Sequence, residues 1–177
     1  PRIKPGRLSH ELLVRAARVK GIDQPRAIDA TAGFGEDALL LAELRKTVLI
    51  AANRLPEDAD LSAIEEPCRL YFADRRRQTT YLAFCAEEIA GVGSVDYHIE
   101  MPTVSNPTGE CAFLMNIYTA PAYRRRGVAR RIVEKLIEEA KARGIRSVLL
   151  EATEMGRPLY ESLGFEDAQG YMRLKLR

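Results

Sequence analysis

Apolar residues recur at helical spacing at Leu12, Leu13, Ala16, Ala17 and Val19. They lie between Ser9, a candidate N-cap, and Gly21, a natural stop, and predict a short helix over Ser9 to Lys20. A compact apolar piece at Arg26 to Ala30, the small-residue turn Thr31-Ala32-Gly33-Phe34-Gly35 and a long helical pattern from Glu36 to about Asn53 read as strand, turn, helix. Pro56-Glu57-Asp58 ends that helix, and Leu61, Ile64, Leu70 and Phe72 predict a second, looser one that stops near Arg75-Arg76-Arg77. Two stacked helices therefore precede any further strand.

From Tyr81 the period changes to that of strands. YLAFCAEEIAGVGSVDYHI is rich in strand formers, and its break at Glu87-Glu88 predicts two antiparallel strands. Met101 to Gly109 reads as a loop, Cys111 to Thr119 as a strand that Pro121 ends. Gly127 to Arg143 is the cleanest helix, with Val128, Ala129, Ile132, Val133, Leu136, Ile137 and Ala140 on one stripe and Gly144 as its stop. Ser147 to Ala152 is a short, nearly continuous apolar strand, the pattern of one buried on both faces. A short helix from about Arg157 to Leu163 and a final strand pair around Gly170 complete the pattern, which places the chain in the α/β (α+β) class.

Composition narrows this picture. A chain of 177 residues is one domain, or one domain with an appendage. With 27 basic and 25 acidic residues, the net charge of +2 argues for neither nucleic acid nor an anionic membrane as partner. Cys68, Cys85 and Cys111 are widely spaced, form no CxxC and have only His10 and His98 as companions. That spacing argues against a metal site or a disulfide framework and fits a reducing compartment. No apolar run approaches the roughly 20 residues that cross a bilayer, and the expectation is a cytoplasmic protein.

The chemistry concentrates where a strand runs through a turn rich in Arg and Gly into the amphipathic helix. The first amides of a helix have no intrahelical partner and sit at the positive end of its dipole. Gly127 lets the chain approach a bulky phosphate, Ala129 keeps the first turn narrow, and Arg124, Arg125 and Arg126 add charge. The expected ligand is a phosphate or pyrophosphate.

Arg124, Gly127 and Ala129 reproduce the fingerprint of the GNAT acetyltransferases, and the sequence resembles that family over about residues 27–177. IYTAPAYR before the fingerprint, SVLLEA after its helix and RPLYESLGF, similar to the family's Leu-Tyr-Glu-x-x-Gly-Phe segment, follow in the family's order. The resemblance implies a mixed, mostly antiparallel sheet splayed in the middle and flanked by helices, with acetyl-coenzyme A as donor. It implies that Arg124, Arg125, Arg126, Gly127, Val128 and Ala129 hold the pyrophosphate, and that the backbone of Asn116, Ile117, Tyr118 and Thr119 pairs with the pantetheine arm. Tyr160 is implied as the general acid that protonates the departing thiolate, and a backbone N–H such as that of Ile117 as an oxyanion donor. A phenol with a reference pKa near 10 suits a thiol whose own is about 8.5.

Two positions depart from the pattern. Thr153 stands where many members carry an Asn that contacts the pantetheine. The central strand offers the non-basic Asn116, which leaves Glu151, Glu154 or water to deprotonate the amine; Glu151 ends a strand that should face the cleft. His98 reads as a loop or surface residue, the cysteines as core or strand filler, and Arg75 to Arg77 as a solvated helix end.

A second resemblance lies at the front. RAIDATAGFGEDALLLA, with Asp29 and the turn at Ala32, Gly33 and Gly35, is similar to the first motif of S-adenosylmethionine-dependent methyltransferases that modify small-subunit ribosomal RNA, as is GRLSHELLVRAARVKG. A methyltransferase needs an acid at its second strand's end, and the chain has Ala51 and Ala52 there instead. The expectation is that Ala27 to Thr31 supply the first strand of the acyltransferase, with residues 1–25 a helical extension, residues 26–177 the acyltransferase domain and the resemblance a remnant or the mark of a recombined, chimeric chain. The expected function is acetyl transfer to a primary amine of a small molecule or peptide. A non-catalytic coenzyme A-binding or scaffold role and a methyltransferase fragment stand as alternatives. The acceptor determinants are expected in the first two helices and the Met101 to Gly109 loop, and a homodimer stays open.

Overall fold

The fold is taken from a computed structural model that describes residues 25–29, 36–74, 76–85, 88–168 and 174. The expected Ser9 to Lys20 helix, the turn at residues 31–35 and the strand pair around Gly170 lie outside them. The described elements run β1 (Pro25–Asp29), α1 (Glu36–Asn53), α2 (Ser62–Ala73), β2 (Gln78–Cys85), β3 (Glu88–Ile99), β4 (Glu110–Thr119), a 3-10 turn (Pro121–Tyr123), α3 (Val128–Ala142), β5 (Val148–Leu150) and α4 (Arg157–Glu161).

The strands form one sheet in chain order. β1 to β4 pair antiparallel, and β5 joins β4 in parallel. This is the mixed, mostly antiparallel sheet expected. Alternation along the strands sends side chains to two cores. Leu82, Phe84 and Val92 face α1 and α2, where Leu41, Leu44, Val48 and Phe72 meet them. Ala83, Ala90, Val95, Ala112 and Leu114 face α3, whose stripe Val128, Ile132, Val133, Leu136 and Ala140 is buried as its period predicts. No helix among the described residues is long and apolar enough to cross a membrane.

α3 lies close on β3 because Gly91 and Gly93 present no side chain there. A Cβ on Gly93 would stand 2.4 Å from Ile132 Cγ2, 2.8 Å from Ile117 Cδ1 and 3.2 Å from Leu136 Cδ1. Gly93→Ala is therefore expected to cost about 1–3 kcal/mol through overpacking. In calorimetry that lowers Tm by about 2–4 °C per kcal/mol for a chain of this size. An unchanged Tm would show that α3 can lift from the sheet without loss.

Two strands differ from expectation. β2 begins at Gln78 rather than Tyr81, because its polar start is buried with its hydrogen bonds made. Gln78 Nε2 donates to Phe72 O (3.1 Å), Thr80 Oγ1 donates to Gln78 Oε1 (2.7 Å) and lies 2.8 Å from Ser94 Oγ, and Arg143 Nη2 donates to Thr79 Oγ1 (3.2 Å). β5 is three residues long and half-buried, not a longer strand covered on both faces. Its pairing with β4 is limited to Ala112–Leu114 against Val148–Leu150.

Candidate active site

Beyond Leu114 and Leu150 the β4–β5 pairing stops, and β4 runs on through Met115 to Thr119 paired with β3 alone. The register of β4 against β3 shifts between Val92 and Ser94, where Val92 faces Tyr118 and Ser94 faces Met115. This bulge centres on Asn116, whose φ of 60° is left-handed. It turns the end of β4 and presents Asn116 inward. The Asn116 side chain accepts a hydrogen bond from Arg45 Nη1 at 3.1 Å, while its Nδ2 and the Thr119 hydroxyl oxygen are buried without partners among the described residues. Ile117 packs toward the α3 core and Tyr118 toward the α1/α2 core.

The chain then reaches α3 through a constrained turn. Tyr123 donates to Glu88 at 2.7 Å, a bond that, with lesser burial, pushes the phenol up to about 12 and ties the turn to β3. Arg124 Nε donates to the Thr119 carbonyl at 3.1 Å, and the Arg126 guanidinium lies 5.8 Å from the Tyr123 ring centre. Arg125 (φ 61°) and Gly127 (φ 81°) are both left-handed. The first α3 hydrogen bond runs from the Arg131 amide to Gly127 O, and the amides of residues 125–130 have no backbone acceptor among the described residues. Unpartnered amides, the helix dipole and three neighbouring arginines give this turn the chemistry that suits an anion. A Cβ on Gly127 would meet nothing within 4 Å, so the glycine serves the backbone angle and its outer side is open.

Tyr160 rises from α4 into the same core cluster as Val128 and Ile117. It is 8% exposed, meets Phe165 edge-on with ring centres 5.8 Å apart, and burial raises its phenol above the ordinary value. A cavity of about 310 Å³ is lined by Leu150, Glu151, Tyr160 and Phe165, among others. Glu151 stands one residue past β5 and is exposed, so it reaches the same cavity as Tyr160. Thr153 has a local use: its hydroxyl and carbonyl accept from the Gly156 amide at 3.2 and 3.0 Å and start α4.

Sequence reasoning missed a polar group under α2. Tyr71 donates to Asp96 Oδ1 at 2.8 Å, Arg77 Nε lies 3.4 Å from the same oxygen, and His98 Nδ1 lies 3.4 Å from Oδ2. Burial and the Asp96 bond raise the Tyr71 phenol far above its usual value. Arg77 is exposed, as expected, but it is not without a partner. Its guanidinium closes on Asp96 and sits 5.8 Å from the Tyr71 ring centre, and His98 belongs to the same group. The signal was available: Val92, Ser94 and Asp96 alternate onto one face of β3. His98, Glu100 and Cys111 also bring ligand atoms within 4.8 Å of one another, a grouping that cysteine spacing could not reveal because His98 and Cys111 meet across two strands.

Residues 49–165 match the Acetyltransferase (GNAT) family, and the chain belongs to it. A protein from Clostridium acetobutylicum described as a predicted acetyltransferase, solved with acetyl-CoA, superposes with a TM-score of 0.73 at 27% identity, covering 86% of this chain and 95% of that one. Glucosamine 6-phosphate N-acetyltransferase of Trypanosoma brucei brucei is 29% identical over 127 residues, 70% of this chain and 84% of that protein. Residues 1–56 match a family of SAM-dependent methyltransferases. Ribosomal RNA small subunit methyltransferase J of Acinetobacter baylyi is 36% identical over 89 residues, 48% of this chain but 31% of that enzyme.

Proposed function

We propose that the protein transfers the acetyl group of acetyl-coenzyme A to a primary amine by direct attack. The observation that carries this reading is the end of β4 past its β5 pairing leading into a turn whose amides, at the start of α3, have no backbone acceptor among the described residues. Arg124 to Ala129 would receive the pyrophosphate and the backbone of Asn116 to Thr119 the pantetheine amides, while Thr153, already committed to α4, would act at the edge of that arm.

The amine nitrogen forms a bond to the thioester carbon as the C–S bond breaks. Glu151 takes the proton that the amine loses, Tyr160 gives one to the departing sulfur, and the Ile117 amide faces the carbonyl oxygen as its charge grows. The common cavity of Glu151 and Tyr160 supports this division of roles. The glucosamine 6-phosphate acted on by the trypanosomal relative is such an amine. We take residues 26–177 as the acyltransferase unit, because the methyltransferase-like segment supplies β1 and α1 to its sheet and helical layer.

Isothermal titration with acetyl-coenzyme A, followed by thiol release over an amine panel, tests the reading. Saturable binding and amine-dependent thiol release are expected. Absence of binding at high micromolar ligand would overturn it, and binding without thiol release would leave only a coenzyme A-binding protein.

A further inference from the structure

We infer that the pocket beside Asn116 takes an amine acceptor carrying an anionic group, a carboxylate or a phosphate, near the amine, with Arg45 and Asn116 as the receptors of that group. This deepens the acyl-transfer reading and rests on it. The pocket, about 160 Å³, lies between α1, α2 and the β4 bulge and is lined by Arg45, Tyr71, Phe72, Ser94, Met115 and Asn116, among others.

Its charge is unbalanced. Neighbouring cations are paired: Lys46 with Glu43 and Glu65, Arg69 with Glu66, Arg77 with Asp96. Arg45 has no carboxylate within ion-pair distance among the described residues, and its one hydrogen bond goes to the neutral Asn116 oxygen. That bond fixes the Asn116 amide with Oδ1 toward the guanidinium. Asn116 is only 7% exposed, and its Nδ2 is left buried with no acceptor. The acceptors nearby are spent, since Asp96 holds Tyr71, Arg77 and His98, and Ser94 is engaged with Thr80.

Arg45 and Asn116 therefore line one small space with guanidinium N–H groups that meet no carboxylate, and the Asn116 NH2, buried at its wall, has no acceptor either. A buried donor without an acceptor is costly, and a planar fork of donors suits a carboxylate or phosphate oxygen. The small volume suits a compact head group rather than an extended polyamine.

Thermal unfolding in saturating coenzyme A, titrated with inorganic phosphate or with acetate at constant ionic strength, tests the site without a known acceptor. A rise in Tm is expected for the wild type with at least one anion, lost in Arg45→Gln and reduced in Asn116→Gly, which keeps the left-handed backbone; which anion acts distinguishes phosphate from carboxylate. Equal responses in wild type and Arg45→Gln would overturn the inference, as would no response in either. Turnover gives a second readout with ethanolamine, O-phosphoethanolamine, L-serine and spermidine. An anionic acceptor is expected to exceed ethanolamine in kcat/KM by roughly tenfold to a hundredfold, and Arg45→Gln to erase the difference. Preference for ethanolamine or spermidine would sink the idea while leaving acetyl transfer intact. Failure of coenzyme A itself to raise Tm would instead strike the acyl-transfer reading.

Discussion

Tyr160→Phe is expected to lower kcat by about 10²–10⁴ while the affinity for acetyl-coenzyme A stays nearly unchanged. The substitution keeps the ring, and with it the edge-on contact to Phe165 and the close approach to Gly156, so it removes a proton donor and little packing. Burial raises the phenol above its ordinary value near 10, which keeps the hydroxyl protonated at neutral pH and beyond. The sign follows: the acid form persists to higher pH than a free tyrosine would allow. In the wild type no loss of rate below about pH 10 should trace to this group, and an acid limb reports the amine or its base. Single-turnover rates across pH check both points. An unchanged chemical step in Tyr160→Phe would remove the residue from the mechanism.

Gly127→Val is expected to weaken acetyl-coenzyme A binding by about five- to a hundredfold, the equivalent of roughly 1–3 kcal/mol of strain in a left-handed position. At φ 81° a β-branched residue must distort the turn, and the amides ahead of α3 leave the positions from which they converge. Lost packing is not the cause, because a Cβ there meets nothing within 4 Å. Gly144 makes the control. It also sits left-handed, at φ 78°, with open space around it, but it follows the other end of the same helix. Gly144→Val should lose similar stability and keep its affinity, measured by calorimetry and titration. Equal loss of affinity in both would mean that binding follows overall stability and not the turn.

The helices were readable because their stripes are long and their ends carry ordinary stops. α1 spans the predicted Glu36 to Asn53, and α3 differs from its expected start by one residue because Gly127 caps the helix instead of joining it. The splay at β4 came from resemblance to a family, since the left-handed Asn116 and the three-residue pairing of β5 leave no mark on hydrophobic period. The polar start of β2 looked like loop because its burial depends on Phe72, Ser94 and Arg143, which are distant in sequence. Arg45 was one charged residue on a long helix until the bulge brought Asn116 to it across 71 positions. Site residues set by one strand-to-helix turn are visible in sequence; those set by two helices closing over a strand are not.

The two family matches overlap at residues 49–56, a seam that begins in the last turns of α1 and runs three residues past its end. A gene divided there would take Ala38, Leu41, Leu44 and Val48 away with one half and leave Leu82, Phe84 and Val92 bare on the other. The expected product is an aggregating half-protein that has also lost Arg45. The stretch that matches the methyltransferase family thus supplies Ala38, Leu41, Leu44 and Val48 to a core whose other wall, Leu82, Phe84 and Val92, lies in the stretch that matches the acetyltransferases, so this core closes only across the boundary between the two matches.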